Sequence, residues 1–415
     1  MKKFLPLLLL VSCYHSTSNL EPAFVSIQIQ DRNGMTETIS QPEKLESYAH
    51  INFLDSQPYK KIIRIYRQQG KQSAIVISYH PNGLPWQYLE AQDMRAFGSF
   101  KEWHSNGRLK IEANVIGGTA DVAPSGQKNW LFDGLAEVWD ERGARLAQIT
   151  YSKGVLEGRS LHYYPNGQLK KEETYLQNEL EGEAIEYFPD GKIASKTHYA
   201  NGIKQGSSVG HYPNQAIQWS EDYQNGRLTE GQYYSSDGTS LAAVQAGNGF
   251  QALFNSSTLE KLIEVQNGES GGVVKTFYPN GDLKVLHRIK NGLKQGEEIE
   301  YYPSKTAKIS VPWEANAISG IVKTWYPDGT LQSQREMARN KKSGASLAWY
   351  RDGSLMYMEE YEDDHLHSGQ YFKKGNKEPI SSVANGTGLA MLYDELGIFL
   401  RKVQYQKGKP VDPET

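Results

Sequence analysis

The chain has 415 residues, 38% of them hydrophobic and 22% charged, with a formal net charge of −3. These proportions exclude a disordered tail and a multi-span membrane protein, and the near-neutral balance gives no electrostatic footprint for nucleic acid. Glycine and tyrosine stand out at 39 and 26 residues, while the single cysteine excludes an intramolecular disulfide framework and a cysteine-rich zinc site.

Met1-Lys2-Lys3 precedes the apolar run Phe4 to Val11, which has the order of a secretory signal and is too short to span a bilayer. Leu10-Val11-Ser12-Cys13 resembles a bacterial lipoprotein lipobox. The resemblance implies a signal peptide over residues 1–12, diacylglycerol on the Cys13 sulfur and acylation of the new amino terminus. Cys13 is thus the lipidation site expected from the resemblance, and the membrane is a partner through that anchor. Tyr14 in place of an aspartate favours, by the same resemblance, the outer membrane of the bacterial cell envelope. Residues 13–22 read as a tether and 23–74 as an N-terminal β-rich cap. In the cap, Val25–Gln30, Met35–Ile39, Ile62–Tyr66 and Ala74–Ser78 are expected as strands, and Glu43–His50 as a short helix.

A motif of the form aromatic–aromatic–Pro–(Asn/Asp)–Gly–x–Leu then recurs, as in Tyr163–Leu169, Tyr187–Ile193, Phe277–Leu283 and Trp325–Leu331. Aligned on the glycine, its fourteen anchors run from Gly83 to Gly397, mostly 24 residues apart, with a few shorter steps and one of 36. Pro, Asn/Asp and Gly together specify a type I turn closed by a residue of positive φ, the three-residue hairpin with a G1 bulge. Four places before the anchor stands an aromatic, such as Trp103, Tyr163, Trp325 or Trp349, and two places after it a branched aliphatic, such as Leu109, Leu169, Leu331 or Leu355. These two positions are expected to face each other across the hairpin. A second glycine pair, as in Asn201-Gly202 followed by Gly206, reads as the reversal into the next unit. The period predicts an all-β fold: an elongated single-layer antiparallel β-hairpin solenoid of about 14 repeats over residues 75–410, with a tail at 411–415.

The unit resembles the MORN-type variant repeat collected in the YwqK-type antitoxin family, over most of the chain. Gln215, Thr258 and Lys305 replace the anchor glycine, which predicts longer or irregular turns there. Residues 116–133 supply the long step and read as a loop displayed from one hairpin.

No residue set makes a case for an enzyme or a cofactor. Gly206-Ser207-Ser208-Val209-Gly210 matches a nucleophile elbow in letters, but no helix pattern follows it. Asp363-Asp364-His365-Leu366-His367 falls at a turn, where exposed polar residues are expected, and the histidines show no recurring zinc spacing. What remains is surface. Tyr164, Phe188, Tyr212, Tyr278, Tyr302, Tyr326 and Tyr350 form a second aromatic column three places before the anchor, the candidate binding strip. The expectation is a non-enzymatic, lipid-anchored scaffold binding a protein or an envelope glycan. The alternative, carried by the family resemblance, is an antitoxin that neutralises a toxin protein.

Overall fold

The computed structural model describes residues 24–69 and 71–411. Cys13, the expected signal peptide and the expected tether fall outside the described residues. Among the described residues there are 35 strands and two short helices, Pro42–Glu46 and Pro124–Gln127. The chain divides into two compact units, Met1–Glu181 with Pro189–Gly191, and Gly182–Phe188 with Lys192–Thr415. In each, successive strands pair antiparallel as hairpins, the β-hairpin solenoid expected from the period.

The hairpin turn follows from its residues. Gly167 and Gly281 take φ of 83° and 86°, where a side chain would be strained. The Gly167 N–H donates to the Tyr164 carbonyl at 2.9 Å, and the Tyr164 N–H to the Gln168 carbonyl at 2.8 Å. Beyond the turn, the aromatic–aliphatic pairs lie in direct register: Trp103 with Leu109, Tyr163 with Leu169, Phe277 with Leu283, Trp325 with Leu331 and Trp349 with Leu355.

The non-glycine anchors depart from expectation. Gln215 and Lys305 adopt φ of 68° and 69°, and each N–H donates at 2.8 Å to the carbonyl of Tyr212 or Tyr302. Their turns are regular, because the hydrogen bonds of the flanking strands hold the left-handed residue in place. At Thr258 the turn is shorter rather than longer, since Asn255 pairs directly with Thr258 across Ser256 and Ser257.

The second kind of reversal is a two-residue turn with both residues at positive φ, as in Asn291-Gly292 (51°, 75°) and Arg339-Asn340 (48°, 69°). These turns are tied to one another. The Asn340 N–H donates to the Ile318 carbonyl at 2.9 Å, while the Asn340 Oδ1 accepts from the Ile318 N–H at 2.7 Å. Asn316 holds Lys294 in the same way, and Asp364 holds Lys342. Asp363 and Asp364, with φ of 46° and 68°, are thus turn residues in the Asp-Asp-His segment.

In the first unit, Ile27, Ile63, Ile65, Ile77 and Leu45 form the core of the N-terminal region. The strand Phe24–Asp31 there lies between Thr36–Ile39 and Lys60–Gln69. The expected helix is limited to Pro42–Glu46. Residues 116–133 are not a displayed loop. Val122 and Trp130 are buried with Phe100, Ala113 and Val115 in one cluster. The Trp130 indole N–H donates to the Thr119 carbonyl at 2.8 Å, fixing the fold-back. Burial of these apolar side chains outweighs solvation of the backbone, so the insertion covers the sheet.

The second unit contains two clusters of matching composition, Tyr223, Leu228, Tyr233, Val244 and Ala252, and Tyr361, Leu366, Tyr371, Val383 and Ala390. In each, three turns meet. The Leu228 N–H donates to Gly268, Gly268 to Gly247 and Gly247 to Thr229, at 3.0, 2.8 and 2.8 Å. The Leu366 N–H donates to Gly408, Gly408 to Gly386 and Gly386 to His367, at 3.0, 2.9 and 2.8 Å. These junctions coincide with repeats shorter than 24 residues.

Candidate functional site

Five of the seven residues of the candidate strip, Tyr212, Tyr278, Tyr302, Tyr326 and Tyr350, form a spine between repeats. Tyr212, Tyr326 and Tyr350 are buried at 2%, 1% and 0% exposure, so they do not form an exposed strip. The position three before the anchor begins the turn, and its ring reaches across to the neighbouring repeat. The hydroxyls of Tyr212, Tyr278, Tyr302, Tyr326 and Tyr350 donate to the carbonyls of Tyr234, Tyr301, Trp325, Trp349 and Phe372 at 2.7–2.9 Å. In the first unit, His80 and His104 replace the tyrosine, their Nε2 atoms meeting the carbonyls of Trp103 and Trp139. Burial pushes the Tyr350 phenol up to about 12. Tyr164 and Phe188 are half-buried.

A second recurring arrangement is not visible in the turn motif. Glu221 is buried and accepts from the hydroxyls of Tyr233 and Tyr223 at 2.8 and 2.9 Å. Glu359 is buried and accepts from Tyr371 and Tyr361 at 2.8 and 3.2 Å. A Cβ on Gly231 or Gly369 would stand 2.8 Å from the hydroxyl of Tyr233 or Tyr371, so the missing side chain gives each phenol its path to the carboxylate. Lys204 and Lys342 lie over the rings of Tyr223 and Tyr361 at 4.6 and 4.4 Å. Burial, then the neighbouring carboxylate, raises all four phenols, and burial raises the Glu359 carboxyl.

Beside the Glu221 cluster the second unit opens into a cleft of about 580 Å3, lined among others by Thr197, Ser208, Trp219, Glu221, Gln251 and Phe254. Its floor is the strand Ile203–His211 and its partner Ile217–Gln224. Trp219 lies flat across Gly210, where a Cβ would be 2.3 Å from the indole ring. The Phe254 ring runs near-parallel to it, at 18° and 6.4 Å between centroids. The Trp219 indole N–H donates to the Ser208 hydroxyl at 3.4 Å, and that hydroxyl lies 2.9 Å from the Thr197 hydroxyl.

Ser208 is therefore a buried residue inside a continuous strand, not the apex of a strand–helix elbow. Its immediate partners are a threonine, an indole and, across the strand pair, Glu221. At Asp363–His367, His365 Nδ1 meets the Asp363 carbonyl at 2.9 Å, a local turn contact. Among the described residues, no group of three or more His, Cys, Asp or Glu side chains could hold a metal ion.

Four segments of this architecture, residues 156–177, 180–201, 271–291 and 318–338, match the MORN repeat variant. The chain carries MORN repeats. The segments 271–291 and 318–338 contain the anchor glycines Gly281 and Gly329, with φ of 86° and 91°, so turn geometry and repeat match agree. No curated protein matches the sequence. Among solved structures, the Tc holotoxin pore of Photorhabdus luminescens is similar at 12% identity over 93% of this chain and 24% of that chain, with a TM-score of 0.14. The TcdB2–TccC3 structure aligns at 12% identity over 94% and 25% of the two chains, with a TM-score of 0.14. Its complex with Cdc42 aligns at 10% over 94% and 26%, with a TM-score of 0.13. The MORN-repeat chain spans about a quarter of those chains, and TM-scores this low say nothing of its function.

Proposed function

We propose that the chain is a non-enzymatic, lipid-anchored repeat scaffold that mediates protein or glycan interaction in the bacterial cell envelope, with the outer membrane as its favoured address. The single observation that carries the interaction role is the open cleft beside Glu221. The tyrosine spine and turn ladder are engaged in holding repeats together, whereas the cleft is lined by the half-buried rings of Trp219 and Phe254 with exposed Ser256 and Ser257 at its rim. Its volume falls within the range of small-ligand sites, about 300–1,000 Å3. The leader ending in Cys13 supports the envelope address. Fractionation tests that address. The wild-type chain is expected in the membrane fraction, and Cys13→Ala is expected to leave it. A wild-type chain soluble in the cytoplasm would overturn the anchor. The repeat resemblance favours a second reading, sequestration of a toxin protein, for which a soluble chain purifying in stoichiometric complex with a toxin is the expected result.

A further inference from the structure

We propose that the cleft of the second unit binds a neutral saccharide, with Trp219 as the platform for a sugar ring. This deepens the glycan half of the scaffold reading and rests on it. The platform comes from backbone geometry. Glycine at position 210 lets the indole lie against the strand, and Phe254 runs near-parallel beside it, so aromatic surface lines the opening. The electron-rich face of an aromatic ring attracts the partially positive C–H bonds on one face of a pyranose. That contact needs a flat ring held in place, as the indole is held by Gly210 below and its N–H bond to Ser208.

The charge of the lining narrows the ligand class. Glu186, Glu221 and Glu260 stand against Lys204, which already lies over the Tyr223 ring and 3.9 Å from Glu221. Phosphate, nucleic acid and acidic glycans meet net negative charge there. Neutral hydroxyls meet no net repulsion from it and can donate to its carboxylates. The rim adds Ser256 and Ser257, both exposed, whose hydroxyls donate and accept as sugar hydroxyls do. His211 also lines the cleft, and its buried Nδ1 has no hydrogen-bond partner in the structure. A ligand hydroxyl reaching it after a small ring movement would satisfy it.

Isothermal titration of the full chain with chitotetraose, cellotetraose and maltotetraose tests the proposal. Saturable one-to-one binding to at least one of them is expected, weakened tenfold or more by Trp219→Ala. Because Trp219 also packs against the core, Ser257→Trp serves as a second variant. It fills the cleft from an exposed turn and is expected to abolish binding with unchanged circular dichroism. Failure of all three sugars to bind, or binding unaffected by both variants, overturns the proposal. Binding of a tetralysine peptide in their place also overturns it, assigning the acidic lining to a cationic partner. None of these outcomes alters the Cys13→Ala fractionation, so the scaffold's address stands or falls separately.

Discussion

The Tyr326 hydroxyl donates to the Trp349 carbonyl at 2.8 Å, joining two repeats through a side chain with 1% exposure. Tyr326→Phe keeps the ring and removes the donor, leaving a backbone carbonyl without its partner. The expected loss is about 1–2 kcal/mol, read as a lower melting temperature. Tyr302→Phe is expected to lose less, because Tyr302 is only half-buried and water can replace its hydroxyl.

Lys305 occupies the anchor position at φ 69°, a conformation that costs an L-residue about 1–2 kcal/mol relative to glycine. Its side chain pairs with Asp282 at 2.9 Å but is 72% exposed, and such a surface pair contributes at most about 1 kcal/mol. Lys305→Gly is therefore expected to stabilise the fold by about 0–2 kcal/mol, the range of the difference between these two effects. Urea denaturation measures the sign. A destabilised variant would mean that the ion pair outweighs the backbone strain.

Gly210→Ala places a methyl 2.3 Å from the Trp219 ring, which must shift. A loss of about 1–3 kcal/mol is expected from overpacking. Gly271→Ala is the control, since Gly271 has open space around its Cβ position and no positive φ. Thermal melts should separate the two variants clearly.

Burial raises the Glu359 carboxyl above its ordinary 4.5, and the hydrogen bonds from Tyr371 and Tyr361 offset this only in part. The neutral acid is thus favoured in the folded state relative to the unfolded chain. This contribution to stability is full below pH 4.5 and is lost as pH rises through the folded value. Glu359→Gln removes the titration. The stability of the variant relative to wild type is expected to improve as pH rises from 4 to 8, roughly as the linkage relation requires. A constant difference between the two pH–stability curves would show that the carboxyl does not titrate differently in the folded state.

The register of Trp325 with Leu331 was legible because a period of 24 residues aligns both columns and the turn chemistry fixes which residues must face each other. The fate of Tyr326 was not. Strand alternation gives its face, but it stands at the start of the turn, where the ring leaves the strand's own row and crosses to the next repeat. The insertion carried a signal in Val122, Trp130 and Phe132, too apolar for a displayed loop. Glu221-x-Tyr223 and Glu359-x-Tyr361, each followed by another tyrosine ten residues later, also repeat in the sequence, outside the turn motif. The cleft was hidden for a different reason. It needs the short repeats near residues 238 and 258 to bring Phe254 beside Trp219, a pairing that sequence separation does not encode.

The three-turn junctions at Leu228–Gly268 and Leu366–Gly408 change how the solenoid can come apart. Where repeats touch only their neighbours, opening can begin at any repeat and spread one unit at a time. At each junction, one hairpin cannot leave without freeing two others, because glycine amides bridge turns about 20 residues apart. These places should behave as foldons. Amides of Leu228, Gly247 and Gly268 are expected to exchange with solvent deuterium at one shared rate, and those of Leu366, Gly386 and Gly408 at another. Intervening repeats would then fray between two clamps, and the length of chain released in a single opening would be set by the spacing of the junctions rather than by the repeat.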